Sequence, residues 1–431
     1  MFFSDQQRWD TCGCYGQELD VTPNLDRMAE EGTRFEHAFT CQPVCGPARS
    51  SLQTGKYPEA TGCWRNNIHL PMDEKTIAHW LTEWGYQTAY VGKWHLASGP
   101  EPERNFREKV VPKELRGDWD WWCASDVLEF TSHSYDGHMY RADGSVYEFP
   151  EGRYRVDAVT DVAMEFLQER DRDRPFVLFV SYIEPHHQND NNRYEGPTGS
   201  KERWAEFEVP GDLVGTEGDW RENYPDYLGC CNALDGALGR IRAALAEDGI
   251  ADDTVVLYTS DHGSHFRTRN SEYKRSCHDG CLRIPMVACG PGFEGGNVVD
   301  EIVSLIDAPA SVLHAAGIPT PETYHGRALQ PLVAGATEQW PQEAFAQISE
   351  SQTGRCIRTA KWTYSVSIPE SGPRSDVYFE EYLYDNENDP HQRENLVREP
   401  GLADLRAGLA ETLLRRMAQA GEASAEIRPA E

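Results

Sequence analysis

The chain has 431 residues, 39% hydrophobic and 26% charged, an ordinary globular composition with room for one large domain and a smaller one. Lys and Arg number 41 against 71 Asp and Glu, a formal charge of −30 that repels nucleic acid and anionic membrane and excludes both as partners. No stretch approaches the ~18 apolar residues of a membrane span, and any anion site must be a local cluster of Lys, Arg and His set against the negative background.

In chain order, Phe2-Phe3-Ser4 reads as a strand with almost nothing before it. The start looks clipped, which is expected to weaken the sheet beneath Asp5. It lacks the charged-then-apolar pattern of a secretory signal; the reading is cytoplasmic, with export left open by the clipped start. A helix follows, capped by Thr22, with Pro23 at its first position, Leu25, Met28 and Ala29 on one face and Gly32 at its end. Pro47 suits the first turn of another helix running to Gly55, which puts Cys45 just before its N-terminus. That position attracts anions and is expected to lower a thiol pKa, and Arg49 lies near enough to pair with a bound anion.

Strand-length runs recur at Thr88-Ala89-Tyr90-Val91, Phe176-Val177-Leu178-Phe179-Val180, Thr254-Val255-Val256-Leu257-Tyr258 and Ile284-Pro285-Met286-Val287-Ala288, separated by helical patterns, which indicates an α/β fold. Ionisable groups follow several strands: Asp5 and Gln6, then Lys93 and His95, then His186 and His187, then Asp261 and His262. In open α/β sheets that edge is where ligands bind. Asp5, Gln6, Asp261 and His262 offer an oxygen-rich set that suits calcium or magnesium, the imidazole adding weight to manganese. Lys93, His95, His186, Lys274 and Arg49 are the donors an anionic group needs. His187, His265 and His278 are expected to be exposed loop histidines. Trp119, Trp121 and Trp122 suit core packing better than stacking on a sugar.

From about residue 335 the texture changes to a hairpin-like segment at Arg355–Tyr364, then Tyr382–Asp385 and an amphipathic helix from Leu402 to Ala418, with residues Glu422–Glu431 expected to fray. The expected division is 1–334 and 335–431. The 12 cysteines do not read as a disulfide framework; free thiols in a reducing compartment are expected.

Cys45-Gly46-Pro47-Ala48-Arg49 resembles the C-x-P-x-R signature of the type I sulfatases, whose cysteine is oxidised to formylglycine (3-oxoalanine). Gly92-Lys93-Trp94-His95 resembles their second signature, and Thr22-Pro23-Asn24-Leu25-Asp26 their T-P-N-L-D segment. Lys274 with Gly280, Arg283 and Pro285 is similar to the stretch that carries a substrate-anion lysine, and Leu383-Tyr384-Asp385 to Asn395-Leu396 resembles the mark of the C-terminal subdomain. The resemblance implies an alkaline-phosphatase-like α/β/α sandwich with a mixed, mostly parallel sheet and a smaller C-terminal α+β subdomain. It implies one divalent cation, calcium first, on Asp5, Gln6, Asp261 and His262. It also implies a nucleophile at position 45 oriented by Arg49, sulfuryl oxygens neutralised by Lys93 and Lys274, and proton transfers by His186 and His95. The implied partners are a carbohydrate or small aryl or alkyl sulfate ester and a formylglycine-generating maturation enzyme. Gln6 and His262 replace the Asp and Asn of many members, variants familiar in sulfatases and in phosphonate monoester hydrolases. A phosphonate monoester or phosphodiester hydrolase and an inactive binding protein on the same scaffold are the alternatives.

Overall fold

Side chains alternate across a strand, so Phe2 and Phe3 face opposite ways, and both are buried. Phe2 packs between the rings of Tyr182 and Tyr258, at 4.7 and 4.9 Å, and Phe3 against Phe179 at 5.7 Å. They belong to β1 (Phe2–Ser4) of a computed structural model that describes residues 1–430. The large sheet adds β2 (Thr33–Phe39), β3 (Gln87–Lys93), β4 (Trp121–Ser125), β5 (His138–Arg141), β6 (Val146–Glu148), β7 (Phe176–Ser181), β8 (Val256–Ser260), β9 (Met286–Cys289) and β10 (Asn297–Ser304). Its order is β10-β2-β9-β8-β1-β7-β3-β4-β5-β6. The run β8-β1-β7-β3-β4 is parallel throughout, so the carboxyl ends of those strands share one edge. Two antiparallel steps through β9 return β2 to the same direction. The three-residue β1 is paired on both sides, with β7 and with β8.

Each face carries its own core. Ala48, Leu52, Ile77, Leu81 and Leu313 cover the face of Phe3 and Tyr90, while Leu25, Met28, Val159, Phe166, Leu234 and Leu238 cover the face of Phe2 and Val91. Trp119 and Trp122 belong to the first of these cores, each 5.4 Å from the Tyr90 ring, and Trp121 packs on Phe166 from the other side, so none is left for a sugar. Thr22 does precede the helix Pro23–Glu31, but its hydroxyl serves Gly13 and Asp26; the orphan N–H groups of Asn24 and Leu25 are taken by Asp235 instead, at 3.1 and 2.8 Å.

A second sheet, β11 (Glu343–Ile348), β12 (Thr353–Thr359), β13 (Trp362–Ile368), β14 (Val377–Asp385) and β15 (Glu426–Arg428), carries the helix Ala403–Gln419 through Leu409, Leu413 and Met417. The fraying expected after Glu422 is corrected for residues 422–430. Glu422 forms a buried ion pair with Arg355 at 2.8 Å, accepts from Gln347 at 2.6 Å, and so anchors β15 in parallel to β14. Glu431 lies outside the described residues. Cysteines 12 to 356 are all free thiols, and among the described residues no helix is long and apolar enough to cross a membrane.

Candidate active site

Register builds the site. Ser4 lies opposite Ser260, which sets Asp5 beside Asp261, and Gly92 lies opposite Ser181, which brings Lys93 to the same edge. Position 92 must be glycine, because its φ is 102° and a Cβ there would lie 2.0 Å from the Ser181 carbonyl oxygen. The helix Cys45–Thr54 follows β2 and starts on Cys45 itself, its N-terminus aimed at Asp5 and Asp261.

Cys45 is 1% exposed. Its thiol donates to Asp5 Oδ1 at 3.3 Å, lies 3.3 Å from His262 Nε2, and accepts from Lys274 Nζ at 2.8 Å. The other Asp5 oxygen accepts from Arg49 at 2.9 Å and is paired with Lys93 Nζ at 2.9 Å. Arg49 also donates to the Lys93 carbonyl and to Ser181 Oγ, at 2.8 and 2.6 Å, so its guanidinium is locked in place. His186 Nδ1 lies 2.6 Å from the His187 carbonyl, which can only accept, so that nitrogen carries the proton and Nε2 takes a hydrogen bond from Lys274 at 3.2 Å. The same logic at His262, whose Nδ1 is 2.8 Å from the Gly263 carbonyl, turns an Nε2 lone pair toward Cys45. His95 and Gln6 sit in left-handed backbone, φ 59° and 70°, a strained conformation that clusters at functional sites.

Burial and charge divide the titrating groups. Burial works to raise the Asp5 carboxyl, but the cations Lys93, Arg49 and Lys274 together hold it well below its ordinary range. Asp261 is pushed up to about 7, by burial and then by the Asp5 charge. Burial opposes protonation of Lys93, but Asp5 raises it; Lys274 is raised against its own burial by Cys45 and Asp5. His95, His186 and His262 are lowered well below 6.5, by burial first and by neighbouring lysines second, so all three imidazoles are neutral. The site thus gathers three cations, Arg49, Lys93 and Lys274, in a chain of charge −30. The expected lowering of the Cys45 thiol is corrected: burial and Asp5 push it up to about 12, outweighing Lys274 and Lys93.

Ligand atoms of Asp5, Cys45, Asp261 and His262 lie within 4.8 Å of one another. Asp261 Oδ1 is used by the N–H groups of Gln6 and His262, both at 2.8 Å, but Oδ2 is buried without a hydrogen-bond partner. Gln6 Nε2 donates to Tyr194 and Ser264, at 2.7 and 3.3 Å, leaving Oε1 buried and unpartnered as well. Two orphaned oxygens, one of them on Asp261 itself, at a site that also holds Asp5 and His262 fit a hard divalent cation, since buried polar atoms otherwise find partners.

Asp5, Gln6, Cys45, Arg49, Lys93, His186, Asp261, His262 and Lys274 thus meet at one edge through direct contacts. His95, two residues past Lys93 at the end of β3, is buried, and its Nδ1 has no hydrogen-bond partner. His187, His265 and His278 are not exposed, as expected, but buried. His187 stacks on Tyr273 and bonds its hydroxyl at 2.7 Å, His278 bonds Tyr384 at 3.1 Å, and His265 lies 3.3 Å from the Lys274 carbonyl; the covering aromatics come from distant segments that local sequence does not announce. Sequence reasoning missed Glu129, whose Oε2 is 3.5 Å from both Lys93 Nζ and His186 Nδ1. It follows β4, whose Trp-rich sequence signals packing and does not announce a strand with an edge of its own.

The large, mostly parallel sheet with its smaller C-terminal sheet has an alkaline-phosphatase-like topology. The sulfatase family model matches residues 1–318, and a second model, N-sulphoglucosamine sulphohydrolase C-terminal, matches residues 271–419. The chain belongs to the sulfatase family and is a sulfuric ester hydrolase. An "Ulvan-active sulfatase" of Formosa agariphila is 29% identical over 439 residues, covering 97% of this chain and 80% of the relative. An "N-acetylglucosamine-6-O-sulfatase" of Bacteroides thetaiotaomicron is 25% identical over 407 residues, covering 77% and 69%. A solved Bacteroides fragilis structure assigned to the sulfatases superposes with a TM-score of 0.84 at 24% identity, over 97% of this chain and 95% of that one.

Proposed function

We propose that this enzyme hydrolyses a carbohydrate sulfate monoester, with position 45 in its formylglycine form and one divalent cation on Asp5, Gln6, Asp261 and His262. The observation that carries the reading is the seat of Cys45, within 3.3 Å of Asp5 and His262 and 2.8 Å of Lys274. Formylglycine, once made by a maturation enzyme, supplies as its hydrate one hydroxyl to attack sulfur and a second whose loss of a proton regenerates the aldehyde and expels sulfate. A cation on the four ligands supplies Lewis acidity toward sulfuryl oxygen. Calcium is the first choice because most donors are oxygens, with manganese or magnesium the alternatives.

The side chains divide the remaining work. Arg49, clamped by Asp5 and Ser181, orients position 45. Lys93 and Lys274 balance the sulfuryl charge in a pocket where water is excluded. The Lys274 ammonium hydrogen-bonds His186 Nε2 at 3.2 Å, a pair suited to hand a proton to the leaving alcohol. The His187 carbonyl fixes His186 through Nδ1, with Glu129 3.5 Å from the same nitrogen, and His95 offers the free ring nitrogen that takes the second proton. Relatives named for ulvan and for N-acetylglucosamine 6-O-sulfate support the carbohydrate class. Residues 1–334 form the catalytic unit in this reading and 335–431 the subdomain that closes one edge. The free thiols favour a reducing compartment.

A panel of matured enzyme with sulfate monoesters, phosphonate monoesters and phosphodiesters tests it. Sulfate monoesters are expected to lead in kcat/KM by about a hundred-fold, ~3 kcal/mol of transition-state preference. Strong phosphonate turnover beside negligible sulfate turnover would refute the reading.

A further inference from the structure

Beside the site lies a second cleft of about 260 Å³, lined by Arg65, Asn67, Gly99, Glu101, Asn105 and Arg107. Its two walls come from segments that also reach the catalytic site. On one side Asn66, between Arg65 and Asn67, accepts the Gly46 N–H through Oδ1 at 2.9 Å, pinning that loop to the start of the Cys45 helix. On the other, the loop continues from His95, held to the first by a Leu70 N–H to Leu96 carbonyl bond of 2.9 Å. Arg107 lies over the ring of Phe130 at 5.8 Å, a ring 49% exposed and next in sequence to Glu129. Arg65 lies over Trp64 at 5.3 Å.

The charges here are unusual for the chain. Two guanidiniums, Arg65 and Arg107, and one carboxylate, Glu101, line the cleft, where the protein as a whole has acids in large excess. Among the described residues neither Arg65 nor Arg107 is in an ion pair, whereas Arg275, next to Lys274, is held by Glu272 and Glu350. Guanidiniums match sulfate and carboxylate oxygens in bidentate fashion, and an anionic ligand approaching a chain of charge −30 needs such a local attraction. Asn67 and Asn105 add neutral amides that suit sugar hydroxyls.

We propose that this cleft binds a second anionic group of the substrate, so that the preferred ester is a saccharide carrying its scissile sulfate at residue 45 and a further sulfate or carboxylate between Arg65 and Arg107. The proposal rests on the sulfatase reading above for the first of the two groups. Calorimetry on the whole chain compares a monosulfated disaccharide with its disulfated counterpart and with a counterpart bearing a uronate. At least one dianionic ligand is expected to bind about ten-fold tighter or better, the gain of one charge-assisted contact. In Arg65→Ser/Arg107→Ser that advantage is expected to fall below about three-fold. Turnover of 4-methylumbelliferyl sulfate, which has no second anion, is expected to stay unchanged in the variant. The dianionic ligand that loses more affinity identifies the group bound. Equal affinity for all ligands in the wild type, or an advantage that survives the double substitution, would overturn the subsite. Absence of turnover of any sulfate ester by the matured wild type would instead count against the sulfatase reading, and the binding comparison would still decide the cleft.

Discussion

Cys45→Ala is expected to abolish sulfate-ester turnover, by at least about four orders of magnitude, while the protein keeps its fold. The loss follows from chemistry, because alanine leaves no group that maturation can oxidise and no atom that attacks sulfur. Retention of the fold follows from packing. The change removes one sulfur at a site 1% exposed, and the helix Cys45–Thr54 stays anchored by Ala48 and Leu52 in the core and by Arg49 on Asp5 and Ser181. A buried methyl-sized deletion costs about 1 kcal/mol. Circular dichroism and a melting curve read the second half of this prediction, and an aryl sulfate assay the first. A stable variant with more than a trace of turnover would contradict the assignment of position 45.

Cation binding is expected to raise the melting temperature, and by more at pH 8 than at pH 5. Asp261 is held at about 7 in the fold against an ordinary 3.8, so between those values the folded chain binds more protons than the unfolded chain. Without a cation, this group's contribution to stability is therefore full below about 3.8 and is lost as pH rises through about 7. A bound cation would displace the proton that Asp261 holds and offset the Asp5 charge that raises it. At a concentration about a hundred-fold above Kd the gain is ~2.7 kcal/mol. Two pH units below the Asp261 pKa, competition with the proton removes about the same amount. A chelator is expected to reverse both the melting shift and the turnover. Asp261→Asn is expected to abolish the shift and lower turnover by at least about a hundred-fold, since it takes away a charged ligand and not merely its support. Melting curves with and without calcium at the two pH values check this; a shift of equal size at both, or one that survives Asp261→Asn, would contradict the ligand set.

Much of this edge was legible before any coordinates. Asp5, Lys93, His186 and Asp261 each follow a strand in sequence, and parallel pairing of β1, β3, β7 and β8 brings their ends together. What stayed hidden was set by long-range contacts. Glu129 gains its place only when β4 joins β3 in register, Lys93 opposite Ser125. His278 looked like a loop histidine until β14 brought Tyr382 and Tyr384 over it. Thr22 looked like a cap because residue type favours it there, yet Asp235, far along the chain, supplies the acceptors. The Cys45 thiol shows most clearly how far a local rule reaches: a helix N-terminus lowers a thiol pKa in water, but burial beside Asp5 outweighs it. A thiol held protonated near neutral pH is a poor nucleophile, and that increases the weight placed on its oxidation.

The most direct test is therefore peptide mass mapping across Cys45 on protein made with and without a maturation system, alongside sulfate-ester turnover of the same samples. The peptide is expected to show the mass of the aldehyde, or of its hydrate, in place of the thiol, with activity proportional to the converted fraction. An unmodified thiol in fully active protein, or full conversion without turnover of any sulfate ester, would contradict the account.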